Sequence, residues 1–301
     1  MLARLLPEYL DADAIAVVEG DGRTTRPCSH RVPIMRSSPA APRSGRKILA
    51  GAAPHLTPVT LELGGKDPVI VMEDADLAVA ARRIAWTKVF ASGQACLEAT
   101  TSWRRVPSGN ELVRQLVHSL EEFRAEGCPR GLRIVNERQF DRLAGYLAGT
   151  GARVVYGGGS DRASLTVEPT ILVGPEPRGT IMREEIFGPS LQVLAVDSLD
   201  EAIDFVTARP KPLAATSSRS RRGHVAGFFS EISAGAAVVN HLAVHVVAPQ
   251  LQLGGVGSSG MGRYHGRWGF ETLSHRKAVL VKRSALTPLR LSAYGNPGAQ
   301  N

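Results

Sequence analysis

The clearest run of apolar and polar positions lies in the first half of the chain. Residues 69–72 (VIVM) form an uninterrupted apolar stretch of strand length. Asp74 and Asp76 follow, short acidic residues that favour a helix start. Leu77, Ala81, Ile84 and Ala85 then recur at helical spacing, so the pattern predicts a helix that Gly93 ends. Asn136 stands where it can cap a second helix carrying Phe140, Leu143 and Leu147. Ser198, with Glu201 three residues on, forms a capping box for a third that runs to Ala208. Strands are expected at 59–63, 152–156, 166–173, 191–196 and 235–240. Near the start, 14–18 (AIAVV) reads as a short buried strand and 48–53 as a helix of small residues. Between them, 36–46 (RSSPAAPRSGR) is rich in Pro, Ser and Arg and lacks apolar periodicity. The polar, proline-bearing tail at 284–301 is expected to be partly disordered. Strands alternating with helices predict an α/β fold.

At 301 residues and 43% hydrophobic content the chain can bury a sizeable core, as one large or two medium domains. The formal charge of +8 comes mostly from scattered arginines, with 219–222 (RSRR) the only tight cluster. That is not the footprint of a nucleic-acid binder, and no nucleic-acid partner is expected, although a modest positive bias suits an anionic dinucleotide. The three cysteines, Cys28, Cys96 and Cys128, are far apart and lack zinc-site spacing, which predicts a reduced, cytoplasmic setting. Glu8, Asp11 and Asp13 make the start a poor signal peptide, and no apolar stretch approaches the roughly 18 residues of a membrane span.

Two short segments carry candidate chemistry. Residues 61–66 (LELGGK) set Glu62 before a glycine pair, and 92–96 (SGQAC) set Cys96 just after a predicted helix end. A thiol and a carboxylate can trap a carbonyl as a thiohemiacetal and later hydrolyse a thioester. The blander readings are a small buried cysteine and a surface-turn glutamate. With an ordinary thiol pKa of about 8.5, only a few per cent of Cys96 would be thiolate at neutral pH, so a working site must lower that pKa or supply a base. Gly64 and Gly65 would let another group approach the backbone closely. Lys66 reads as a solvated lysine. In 184–189 (EEIFGP), Glu185 and Phe187 could equally be a helix-start acid and a core phenylalanine. Residues 255–260 (GVGSSG) satisfy G-x-G-x-x-G, but 261–268 (MGRYHGRW) offer no apolar helical face, so the dinucleotide fingerprint is declined. His241 and His245 lie four apart, and a strand context argues against a metal pair.

Taken in order, 57–60 (TPVT), 61–66, the helix at 76–90, Cys96, 184–189, 209–214 (RPKPLA) and 254–266 (GGVGSSGMGRYHG) resemble the aldehyde dehydrogenase superfamily. The likeness runs from about Leu56 to His275 and is greatest to the class 3, or fatty aldehyde dehydrogenase, branch. It implies a catalytic α/β domain at 67–257, a partial Rossmann-type nucleotide-binding domain at 1–66, and a C-terminal segment at 258–301 that returns toward the nucleotide-binding and oligomerisation region. It also implies NAD(P)-dependent oxidation of an aldehyde to a carboxylic acid, with Cys96 as nucleophile and Glu62 activating water and Cys96 itself. Glu62 favours an acid-forming enzyme over a coenzyme-A-acylating one. For the cofactor, NAD or NADP, the resemblance assigns Glu185 to the nicotinamide ribose hydroxyls, Phe187 to the sugar's flank, Gly64 to close backbone approach and Ser37 to the start of a phosphate-facing turn. That turn is expected to be damaged or rebuilt, because its first glycine is replaced, about two residues are added before Gly45, and Pro42 restricts the backbone. Leu253 stands where an aromatic usually lines the aldehyde tunnel. The family's oxyanion asparagine lies upstream of the Glu62 segment and nothing here matches it; losing one such donor costs about 10²–10³ in kcat. The expectation is an N-terminally truncated member whose homodimer is weakened. The alternatives are a non-enzymatic remnant or partner of a full-length relative, and a cofactor-independent thioesterase using Cys96 and Glu62.

Overall fold

The computed structural model describes residues 1–20, 36–39, 42–99, 101–105, 109–219 and 225–281. Its strands, in chain order, are β1 (Arg36–Pro39), β2 (Val59–Glu62), β3 (Pro68–Val71), β4 (Thr101–Arg105), β5 (Leu132–Arg133), β6 (Arg153–Tyr156), β7 (Ser160–Asp161), β8 (Thr166–Val167), β9 (Thr170–Val173), β10 (Ser190–Val196), β11 (Ala214–Ser218), β12 (Ala236–Val239) and β13 (Gly260–Met261). Seven of them form the main sheet, in the order β12-β11-β3-β4-β10-β9-β6. Every pairing in it is parallel except β6 with β9.

A parallel sheet covered on both faces needs apolar residues at consecutive positions, because successive side chains point to opposite sides. The strands obey this. Ile70, Leu172, Leu194 and Val196 join a core with Phe140, Leu143, Ile203 and Phe228. Val69, Val71, Ile171, Leu191 and Val193 join another with Ile84, Leu112 and Leu116. The helices Glu137–Ala148, Leu199–Thr207 and Val225–Glu231 therefore cover one face, and Leu77–Val89 and Gly109–Ala125 the other. The chain is α/β, as the pattern predicts.

The three anticipated caps are present. Asp76 accepts from Val79 N at 3.0 Å, Asn136 from Gln139 N at 3.0 Å and Ser198 from Glu201 N at 3.1 Å. The Glu201 carboxylate takes the Asp197 N–H at 2.7 Å in place of the Ser198 N–H. The helix Gly109–Ala125 was not anticipated, although Leu112, Leu116 and Leu120 repeat at helical spacing and are buried.

Three expectations are corrected. Residues 14–18 form no strand, and Ile15, Val17 and Val18 are exposed, so an apolar run without a pairing partner among the described residues stays irregular. Within the stretch 36–46, residues 36–39 form β1, which pairs parallel with β2 and sets Ser37 opposite Thr60 and Pro39 opposite Glu62, and a helix runs from Pro42 to Ala52. That helix begins earlier than the small-residue pattern indicates, with a proline in its first turn, where the missing N–H costs nothing. Residues 166–173 are two strands, because Pro169 cannot donate to a ladder. A short helix, Gly266–Thr272, overlaps the end of 261–268 and buries none of its residues, in keeping with a stretch that offers no apolar helical face. Residues 40 and 41, within the expected phosphate-facing turn from Ser37 to Gly45, and the tail at 284–301 lie outside the described residues.

A second, smaller sheet has the order β1-β2-β13, with Gly260 of β13 antiparallel to Glu62. Replacing Leu143, which is fully buried between its helix and Gly188, with Ala is expected to cost about 2–5 kcal/mol in urea unfolding. Asn136→Ala should cost about 1 kcal/mol by the same measurement.

Candidate active site

The site begins where β2 ends. Glu62 is the last residue of that strand, 7% exposed, and neither carboxylate oxygen has a hydrogen-bond partner among the described residues. Burial alone pushes its pKa up to about 7. An unpartnered buried carboxyl is costly, and such groups persist where chemistry uses them.

Cys96 is delivered by a sharp reversal after the helix Leu77–Val89. Ala91, Ser92 and Gly93 adopt φ of 49°, 58° and 64°. Only glycine fits at the last of these, since a Cβ there would lie 2.4 Å from the Gly188 carbonyl oxygen. Gln94 then pins the loop: its Nε2 donates to Arg133 O at 3.1 Å and its Oε1 accepts from Val135 N at 3.0 Å. The sequence reading gave Gln94 no role, and its position next to the glycine reversal was the available signal. Cys96 is half-buried against Leu97, Leu213, Ala214, Leu253 and Tyr264. Desolvation first, and then the carboxylates of Asp67, Glu185 and Glu62, push its thiol up to about 11.

Glu185 lies across Gly64. A Cβ on Gly64 would sit 2.0 Å from Glu185 Oε1, so the glycine is required by this approach. Burial raises Glu185 to about 7, against the pull of Arg142, the Gly65 N–H and Lys66. Lys66 is not the solvated lysine expected. Its ammonium donates to Ile181 O at 2.8 Å, Glu184 O at 3.2 Å and Gln192 Oε1 at 3.3 Å, and burial lowers its pKa to about 7. Arg142 holds the next two carbonyls, donating to Glu185 O at 3.1 Å and Ile186 O at 2.7 Å. Phe187, at φ 47°, is 36% exposed, so it is not a core residue. The side chain of Ser37 lies outside the described residues; its backbone is in β1.

The 255–260 loop is a brace. A Cβ on Gly255 would come 2.0 Å from Ser259 O, and one on Gly260 would come 2.4 Å from Leu61 O. The Ser259 hydroxyl sits 3.0 Å from Pro212 O and accepts from Val256 N at 3.0 Å, while Leu63 N donates to Ser259 O at 3.1 Å. The loop thus ties β2 to Pro212 through Ser259.

Comparison with known proteins gives the family. The model of the aldehyde dehydrogenase family matches residues 1–279. The dimeric NADP-preferring aldehyde dehydrogenase of Rattus norvegicus is 42% identical over 287 residues, covering 94% of this chain and 62% of that protein. An aldehyde dehydrogenase of Craterostigma plantagineum is 39% identical over 300 residues, covering 94% of this chain and 60% of the relative. Among solved structures, the substrate-bound AldH of Staphylococcus aureus superposes with a TM-score of 0.91 at 36% identity, over 95% of this chain and 63% of that one. The aldehyde dehydrogenase of Mycobacterium tuberculosis complexed with NAD+ gives 0.75 at 28% identity, over 84% and 54%. The chain thus spans about three-fifths of the length of the curated relatives it matches. It belongs to the aldehyde dehydrogenase family.

Proposed function

We propose that this chain carries the thiol–carboxylate centre of an enzyme that oxidises an aldehyde to a carboxylic acid with NAD or NADP. The observation that carries the reading is the pairing of a buried, unpartnered Glu62 near pKa 7 with an electrostatically coupled Cys96 thiol near 11. At neutral pH only about one Cys96 in 10⁴ would be thiolate, which leaves a neighbouring base as the route to the nucleophile. Proton transfer from Cys96 to Glu62 before attack is uphill by about 5 kcal/mol on the values of about 11 and about 7. Deprotonation therefore accompanies attack on the carbonyl carbon, as general-base catalysis allows. The C–S bond forms and the carbonyl oxygen takes the negative charge. When bound, the nicotinamide dinucleotide supplies the hydride acceptor, and the product left on Cys96 is a thioester. Glu62 passes the proton taken from Cys96 to solvent and then takes one from water; the resulting hydroxide adds to the thioester carbon, the C–S bond breaks, the acid departs, and Glu62 returns its proton to the Cys96 sulfur.

The residues present fit the ribose end of that cofactor. Ionised, the half-buried Glu185 is an acceptor-only group to which a vicinal diol offers two donors, while the exposed ring of Phe187 is free to flank a sugar. Gly64 and Ser37 complete the proposed contacts. Antiparallel pairing of β13 with β2 supports a division in which 1–66 belongs to the nucleotide side, 67–257 to the catalytic domain, and 258–301 returns to the first. The dimeric relative supports a homodimer. No helix among the described residues is long and apolar enough to cross a membrane.

Aldehyde-dependent NAD(P)H formation tests the reading. Cys96→Ala should abolish it. Glu62→Gln should lower turnover by about 10²–10⁴, the worth of a positioned base; retention of the full rate would remove the carboxylate from the mechanism. In the wild type, kcat/KM should climb with pH through about 7 as Glu62 ionises, and Glu62→Gln should flatten that limb.

The same substitution should raise stability. The folded pKa of about 7 lies above the ordinary carboxyl value of 4.5, so between those values the unfolded chain releases a proton that the folded chain keeps, and stability falls as pH rises. Glu62→Gln should match the wild type below about pH 4.5 and exceed it by about 3 kcal/mol above pH 7, read by urea unfolding. Equal stability at both pH values would show that Glu62 is solvated.

A further inference from the structure

Behind the nucleophile loop lies an ion pair that the chemistry above does not use. Lys88 Nζ and Glu98 Oε2 are 3.1 Å apart, with side chains 2% and 1% exposed. Lys88 is in the last turn of the helix that leads to the loop, and Glu98 is two residues beyond Cys96. A buried ion pair is a poor source of stability, since apolar residues of similar volume commonly do as well or better. Its placement shows a different use. Both partners address Gly188, the residue after Phe187: Gly188 N donates to Glu98 Oε1 at 3.2 Å, and Lys88 Nζ lies 3.5 Å from Gly188 O. Gly93 packs onto the same peptide so closely that a Cβ would stand 2.4 Å from Gly188 O and 2.7 Å from Glu98 Oε2. Leu143 backs Gly188 from the other side, within 2.6 Å of where its Cβ would be. Just past Glu98, Ala99 N donates to Thr87 Oγ1 at 3.3 Å, tying the loop's far end to the helix one residue before Lys88.

We propose that the Lys88–Glu98 pair is a positioning clamp that fixes the Cys96 loop (93–99) and the Glu185–Phe187 loop (185–189) to each other through Gly188. The proposal rests on the reading of Cys96 as nucleophile and Glu185 as ribose ligand for its functional meaning. Both ends of the thiol loop, Gly93 and Glu98, meet one residue of the other loop, Gly188, so displacement of either drags its neighbour. Thiol and ribose site are thereby held in register by groups that touch neither substrate nor cofactor.

The test uses the full chain with Cys28→Ser and Cys128→Ser, which leaves Cys96 as the only thiol. Lys88→Met alone strands a buried carboxylate and should lower Tm. The double variant Lys88→Met with Glu98→Leu removes both charges and should recover most of that loss. Two further readouts separate a clamp from a core filler: alkylation of Cys96 by iodoacetamide at about pH 8, and hydrogen–deuterium exchange of the peptide containing 185–189. In the double variant the loosened loop should let the thiol fall from about 11 toward its ordinary value of about 8.5. Alkylation should then quicken about tenfold, since the gain in thiolate outweighs the loss of nucleophilicity by about two to one on a logarithmic scale. Exchange at 185–189 should rise with it. If both readouts return to the wild-type level together with Tm, or if alkylation changes while 185–189 stays protected, the clamp is wrong. Glu98→Gln, which keeps the side chain's shape, gives the same decision should the double variant not fold. None of these readouts requires turnover, so an inactive chain would count against the dehydrogenase reading and leave the clamp to be judged on its own.

Discussion

Charge carried into a low-dielectric space is the constraint around which this molecule is arranged. The short connector 63–67 joins the last residue of β2 in the small sheet, Glu62, to the first residue of β3 in the large one, Pro68. Within two residues of its ends lie Glu62, Lys66 and Asp67, all of them wholly or partly buried. Glu185 folds over its glycine and Lys66 reaches back to the carbonyls that precede Glu185. The two sheets are thus joined through ionisable groups rather than through an apolar seam. Each is displaced from its ordinary pKa in the direction burial dictates, acids and thiol upward and lysines downward.

The positional logic of the glycines follows from the same crowding. Gly64 makes room for a carboxylate, Gly93 for the peptide of the opposite loop, and Gly255 and Gly260 for the brace beneath β2. A methyl at any of these would push a charged or hydrogen-bonded group out of place, which in a low-dielectric setting is costlier than a steric clash between apolar side chains.

Those features that depend on local sequence were legible in it. Asp76, Asn136 and Ser198 cap helices because a side-chain oxygen three residues before a free N–H is a short-range device, and β3 and β10 are apolar runs of strand length. The motif residues Glu62, Cys96 and Glu185 were legible as candidates, and the structure brings them into electrostatic contact. What escaped was set by partners far along the chain. Residues 14–18 look like a strand, but a strand exists only when paired. Residues 36–39 look like loop, but pairing with β2 makes them a strand. Lys66 reads as solvated because its acceptors are more than a hundred residues away, and Lys88 reads as the polar end of a helix until Glu98 is folded onto it. The helix Gly109–Ala125 is the exception, since Leu112, Leu116 and Leu120 carried a local signal that went unread.

A thiol held near 11 looks at first like an argument against a nucleophile, and the surrounding carboxylates are why it is not. An exposed, low-pKa cysteine is reactive toward any electrophile or oxidant at all times. Here the same burial that suppresses the Cys96 thiolate lifts Glu62 to about 7 and so makes it a stronger base than an ordinary glutamate. The proposed base and nucleophile are both poised in uncharged or half-charged forms at neutral pH. Ionisation then occurs when a carbonyl carbon is present to receive the sulfur and the developing charge moves to oxygen. The cost of burying a fixed thiolate is avoided, and the cost that remains is the standing one of keeping Glu62 without a partner.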